Sequence, residues 1–203
     1  MPAVYTPSIE IHEEITLRKI IVLNRITVDG MFDGPNGEND WFIPGDAENK
    51  AVHETGTVVD TLLMGRVTYD HMIRFWPTVT DDSHFPEPVK VQAKEINQMP
   101  KLIVSRTLKN LTWENSKLIN DDLIAEVKQI KQGSGDGLMI LGSGSIIQQL
   151  TEAGLIDEFV FILTPTVLGQ GRPQFKQNHK VDLELVKTLT FPTGNVVLHY
   201  KVK

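Results

Sequence analysis

The sequence predicts an α/β fold with a mostly parallel central sheet and antiparallel strands at its C-terminal edge. Three observations carry this. Apolar, β-branched runs alternate with segments of helical period through most of the chain. The last two strand-like runs then follow each other with only a Pro-Thr-Gly turn between them. Two buried runs end in glycine directly before a helical pattern, as strand-to-helix junctions do. The 203 residues show no repeat or linker, so one domain is expected over residues 18–203. It is preceded by an N-terminal extension, residues 1–17, with no clean period, read as a loose arm or a strand lent to a partner.

In chain order, "RKIIVLNRI" reads as a buried strand, and "TVDGMFDGPNGENDWFIPGD" as a long loop rich in Gly, Asn, Asp and Pro. Loops of that length are uncommon unless functional. "DAENKAVHETG" reads as a helix with Asp46 available as N-cap and Gly56 as its stop. "DTLLMG" is a short buried strand and "RVTYDHMIRFW" the helix that begins after Gly65. "TVTDDSHFPEPVK" reads as a Pro-rich surface loop, "QAKEINQM" as a helical turn and "KLIVS" as a strand. "DDLIAEVKQIKQG" has an apolar stripe at Leu123, Ile124, Val127 and Ile130, an amphipathic helix capped by Asp121 or Asp122. "LMILG" and "SIIQQLTEAG" repeat the strand-helix unit. "IDEFVFILTPTVLG" is a strand with a Pro-interrupted end, and "DLELVKTLTF" and "NVVLHYKV" form the antiparallel edge.

Composition narrows the function. The net charge is −6, and from Asp29 to Asp82 eleven acids face only Lys50, Arg66 and Arg74. Such a surface repels phosphate backbones and anionic lipid, so no nucleic-acid or membrane partner is expected. The absence of cysteine removes thiolate chemistry and disulfides, in keeping with a cytoplasmic protein. Six histidines form neither H-E-x-x-H nor a short ligand pair, and the acids of "DGPNGENDW" fall at the wrong intervals for a calcium loop, so no metal site is expected.

What remains are three strand ends. "LLMGRVTYD" and "MILGSGSIIQQL" each place a glycine turn at a helix N-terminus, where free N–H groups and the positive dipole end suit phosphate. "KLIVSRT" presents Ser105 and Arg106 at the corresponding place. Each junction alone reads better as an ordinary cap or turn. Together, with Arg66 and Arg106, they point to a dinucleotide at the carboxyl ends of the strands. The usual G-x-G-x-x-G spacing and the P-loop are both absent.

"LLMGRVTY", "KLIVSRT", "MILGSGSIIQQL" and "LIDEFVFILTPTVLGQGRPQF" occur in an order and spacing that resembles the dihydrofolate reductase-like superfamily. The branch they resemble most is the C-terminal reductase domain of the bifunctional riboflavin-biosynthesis deaminase/reductase. The resemblance implies a sheet with helices on both faces, NADPH as cofactor, and hydride transfer to a C=N or C=O carbon of a small heterocyclic substrate. By it, Gly65, Arg66 and Thr68 would hold the pyrophosphate and adenosine side, and Ser105 and Arg106 the 2′-phosphate. The turn of Gly142, Ser143, Gly144, Ser145 and Ile146 would approach the pyrophosphate and nicotinamide. Asn24, Thr27, Trp41 and Thr164 are expected on the substrate side, with the loop of residues 27–41 closing over the nicotinamide. Asp46 and Glu48 are the candidate proton donors, water being the alternative, and Asp46 also suits a helix cap. In dihydrofolate reductases the glycine turn is Gly-Gly with a cis peptide. Here a cis bond would precede Ser143 at a cost of ~3 kcal/mol, so cis and trans both stand as alternatives. A homodimer is the expected assembly. Dihydrofolate reductase proper and a non-catalytic ligand-binding protein are the rival functions.

Overall fold

The computed structural model describes residues 17–43 and 55–203. Residues 46–54 of the predicted helix over "DAENKAVHETG" and all but Leu17 of the N-terminal extension lie outside the described residues, and Gly56, the expected stop, takes a left-handed φ of +80°. An eight-stranded sheet organises the rest. Its strands are β1 (Lys19–Thr27), β3 (Thr61–Gly65), β4 (Lys101–Val104), β5 (Ser116–Ile119), β6 (Gly137–Leu141), β7 (Glu158–Thr164), β9 (Leu183–Thr190) and β10 (Val196–Val202). The spatial order is β5-β4-β3-β6-β1-β7-β10-β9, with β2 (Met31–Asp33) and β8 (Arg172–Pro173) forming a small separate pair. Every pairing from β5 to β7 is parallel, and the β7–β10 and β10–β9 pairings at the C-terminal edge are antiparallel, as the sequence predicts.

Among the described residues four helices pack on the two faces: α1 (Arg66–Val79), α2 (Glu87–Gln98), α3 (Leu123–Gln132) and α4 (Gly144–Glu152). Alternation along β1 divides the core. Ile20 and Val22 join Val127, Ile147 and Leu150 of α3 and α4 in one layer. Ile21 joins Tyr69 of α1, with Ile96 of α2 packed alongside, in the other. A strand buried on both faces has to be apolar throughout, which is why β3 reads "TLLMG" with every residue buried. Each such side chain contributes about 1.5–3 kcal/mol relative to exposure.

Three elements differ from expectation. The Pro-rich loop ends earlier than the sequence suggests, because α2 begins at Glu87 with Pro86 as N-cap and Pro88 in its first turn. Proline is harmless there, since first-turn N–H groups have no helical partner. Helix α1 continues through Pro77 to Val79, one turn beyond "RFW". Strand β5, "SKLI", is short and half polar, which hid it from pattern reading, yet it pairs with β4 as the sheet's edge. Strand β7 stops at Thr164 as predicted, where Pro165 cannot donate to a ladder.

Candidate functional site

The carboxyl ends of β3 and β6 are neighbours, with Met64 opposite Leu141, so the glycine turns that follow them stand side by side. Gly142 and Ser143 both take left-handed backbone, φ +57° and +63°, and there is no cis peptide among the described residues. The Gly142–Ser143 peptide is therefore trans. Ser143 tolerates this conformation with a compensating bond: its Oγ accepts from Gly65 N–H at 2.6 Å and lies 3.3 Å from Thr68 Oγ1. Gly65 is held small by the same contact, because a Cβ there would come within 2.6 Å of Ser143 Oγ. The two turns are thus locked to each other.

Helices α1 and α4 start at these turns, with Gly65 and Ser143 as their N-caps, and neither start receives a side-chain cap. By contrast, Asp122 caps α3, its Oδ1 accepting from the Ile124 and Ala125 N–H groups. Two adjacent uncapped N-termini leave backbone donors and two positive dipole ends facing one space. That space is a cleft of about 990 Å³ across the strand ends.

All ten residues expected to hold the cofactor line it: Gly65, Arg66, Thr68, Ser105, Arg106 and Gly142, Ser143, Gly144, Ser145 and Ile146. Arg66 rests in an exposed pair with Asp70, 3.0 Å away, on the same helix face. Ser105 is engaged locally, its Oγ accepting from the Thr107 and Leu108 N–H groups. Arg106 and Thr107 also line the cleft at this strand end, with Thr107 Oγ1 3.4 Å from Ser105 Oγ. Asn120, Asp121 and Asp122 complete that rim.

At the other end the floor is Leu23, Asn24 and Arg25 of β1 with Ile162 of β7. Of the residues expected on the substrate side, Asn24 lines the cleft and Thr27, Trp41 and Thr164 do not. Thr27 is fully buried and builds the turn after β1, its Oγ1 donating to Asp29 Oδ1 at 2.6 Å and accepting from Met31 N–H at 3.0 Å. Thr164 lies opposite it in register, equally buried. Phe42, not Trp41, reaches the cleft, with the Arg25 guanidinium 5.6 Å from its ring centre. Asp46 and Glu48 lie outside the described residues.

A flap made by the expected loop of residues 27–41 together with Arg172–Pro173, the half that pattern reading did not identify, covers this end. Strands β2 and β8 pair, and Asp33 forks onto the Arg172 guanidinium through both carboxylate oxygens. Arg172 lies over the Phe32 ring at 5.2 Å, and Phe32 sits on Gly144, where a Cβ would overlap the ring. Burial raises the Asp33 carboxyl above its usual value, and the Arg172 fork offsets only part of that rise. Among the described residues no group of side chains could hold a metal ion, and no helix is long and apolar enough to cross a membrane.

Comparison with known proteins agrees with this architecture. The chain is 32% identical to the uncharacterized protein YyaP of Bacillus subtilis (strain 168) over 184 residues, covering 90% of this chain and 94% of that one. It is 27% identical to the uncharacterized protein YwjB of the same organism over 186 residues, 90% and 97% of the two chains. Among solved structures, a riboflavin biosynthesis protein homologue from Shewanella sp. PV-4 superposes with a TM-score of 0.67 at 22% identity, covering 91% of this chain and 99% of that one. The Thermotoga maritima diaminohydroxyphosphoribosylaminopyrimidine deaminase/5-amino-6-(5-phosphoribosylamino)uracil reductase shares the fold with a TM-score of 0.61 at 12% identity. This chain spans 57% of that bifunctional protein. The model of the RibD C-terminal domain matches residues 18–197, nearly the full length of the central sheet, and the protein belongs to that family.

Proposed function

We propose that the protein is an NADPH-dependent reductase that delivers hydride to a C=N or C=O carbon of a small heterocyclic substrate. The closest chemistry is that of 5-amino-6-(5-phosphoribosylamino)uracil reductase. One observation carries the reading: two uncapped helix N-termini, locked together by Ser143, open onto a single cleft whose rim holds Arg66 and Arg106. This donor set fits a dinucleotide phosphate. Backbone N–H groups of α1 and α4 suit the pyrophosphate. Arg106, reinforced by Thr107, suits an additional phosphate on the nucleoside at the β4 side.

The bound cofactor supplies the hydride, and this chain's residues supply placement and shelter from water. The β1 floor and the β2–β8 flap enclose the space beyond the turns. Arg172 holds the flap through Asp33, and Phe32 seals it against Gly144. No described carboxylate other than Asp33 lines that end of the cleft, and Asp33 is engaged by Arg172. On this reading the substrate's proton is supplied by water or by Asp46 or Glu48.

The same reading takes residues 18–203 as one reductase domain working in the cytoplasm as a homodimer. NADPH should quench tryptophan fluorescence and raise the melting temperature of the wild-type protein. Arg106→Ala should weaken NADPH binding by about tenfold or more while changing NADH affinity by less than about twofold, the loss expected for one charge-assisted phosphate contact. Equal losses for both cofactors, or no binding of either by the wild-type protein, would refute the assignment.

A further inference from the structure

The cleft floor contains one side chain whose orientation is set by a residue outside the cleft. Asn24 lies one position beyond the point where β1 aligns with the end of β6, Leu23 opposite Leu141, and so stands beside the Gly142 turn. It is 7% exposed. Its Nδ2 donates to Gln174 Oε1 at 2.7 Å, across 150 positions of sequence. Gln174 is 1% exposed and does not line the cleft. Its own backbone N–H donates to Gly30 O at 2.8 Å, fixing it against the turn that follows β1.

A primary amide offers a donor edge and an acceptor edge, and its neighbours decide which faces outward. With Nδ2 of Asn24 held by Gln174, the edge left toward the cleft is Oδ1, an acceptor with no donor among the described residues. The cleft itself says which ligand meets it. Phosphates at the ends of β3 and β6 place one half of a dinucleotide toward Arg106 and the other toward β1. On the β1 side, the carboxamide is the N–H donor that a nicotinamide ring carries.

Resting on the cofactor reading above, we propose that Asn24 Oδ1 accepts the carboxamide N–H of the nicotinamide. Gln174 is then a positioning residue: it keeps the oxygen of Asn24, not its NH2, turned to the ring. The contact fixes the rotation of the ring about its glycosidic bond and hence the face that meets the substrate. An Asn24 flipped the other way would present its NH2 and select the carboxamide oxygen instead, turning the carboxamide end for end. Gln174 Nε2 has no partner among the described residues, so a glutamate at this position removes no bond that Gln174 makes through it.

The test uses NADPH and its 3-acetylpyridine analogue, in which a methyl group replaces the carboxamide NH2. Dissociation constants are measured by fluorescence titration for wild-type protein, Gln174→Met, Gln174→Glu and Asn24→Leu. Wild type should prefer NADPH by about tenfold, as one hydrogen bond against an unpaired acceptor implies. Gln174→Met cannot accept from Asn24 and should reduce the preference to below about twofold, as should Asn24→Leu. Gln174→Glu still accepts and should keep the preference. Equal affinity of wild type for the two cofactors would overturn the inference alone. So would equal effects of the Met and Glu variants, which would make Gln174 a packing residue. Absence of saturable NADPH binding by wild type would overturn the cofactor reading and this inference together.

Discussion

Ser143 offers the sharpest test of how the two turns are held. Its backbone is left-handed, a conformation that costs a non-glycine residue roughly 1–2 kcal/mol. Against that cost stands the bond from Gly65 N–H to Ser143 Oγ at 2.6 Å. Ser143→Ala keeps the backbone strain and removes the bond, leaving a half-buried N–H without its acceptor. Because cleft water can reach that group, the loss belongs at the low end of the range, about 1–2 kcal/mol. Ser143→Gly loses the same bond but relieves the strain, so its net loss is about 0–1 kcal/mol. For a chain of this size 1 kcal/mol moves Tm by about 2–4 °C, so alanine should lower it by roughly 2–8 °C and glycine by less than about 4 °C. Urea unfolding followed by tryptophan fluorescence gives the same ordering, with unchanged slopes showing that only stability has moved. The reasoning is refuted if alanine matches wild type, or if glycine is less stable than alanine.

Two further outcomes follow from packing and charge. Gly144→Ala gains up to about 1 kcal/mol of helix propensity but drives a methyl into the Phe32 ring, so overpacking of about 1–3 kcal/mol should decide the sign and loosen the flap. Adding Phe32→Ala should restore NADPH affinity relative to Gly144→Ala alone, and a double variant no better than the single one would count against the contact. Lys101 is 1% exposed, and burial lowers its ammonium to about 8 despite three carbonyl acceptors (Asn97, Met99 and Glu114) and the Trp113 ring at 4.6 Å. Between that value and the usual 10.5 the unfolded chain binds the proton that the folded chain has released, so this group's contribution to stability rises with pH across that window. Stability measured at pH 7.5, 9 and 10.5 should rise by roughly 2–3 kcal/mol relative to Lys101→Met, and parallel profiles for the two proteins would refute it.

Much of the fold was legible because its signals are local. "KIIVLNRIT" and "TLLMG" are apolar in runs that only a doubly covered parallel sheet needs, and "TGN" between two strand-like segments announces the antiparallel edge. The strand ends that line the cleft were legible for the same reason: a glycine between a buried strand and a helix is a short-range pattern. Where local cues misled, the cause is positional. Pro86 and Pro88 look like loop residues, yet at a helix start they are permitted. Trp41 and Phe42 are adjacent aromatics, and no sequence period says which of the two turns to the cleft. Thr27 and Thr164 sit at strand ends near the site, but their side chains are buried beneath it.

The substrate end was hidden because it is made by contacts between distant parts of the chain. Asp33 meets Arg172 across 139 positions and Asn24 meets Gln174 across 150. Both partners come from one three-residue stretch, Arg172, Pro173 and Gln174, in which Arg172 is exposed and Gln174 is buried. The residue between them is not idle, since Pro173 O accepts from Gln148 Nε2 of α4 at 2.8 Å. This stretch therefore touches at once the flap, the floor residue Asn24 and helix α4, whose N-terminus faces the cleft. The sequence shows "GQGRPQF" only as a motif. Folding makes it the stretch that contacts both ends of the cleft, so on the proposed function a substitution there should alter cofactor and substrate binding together.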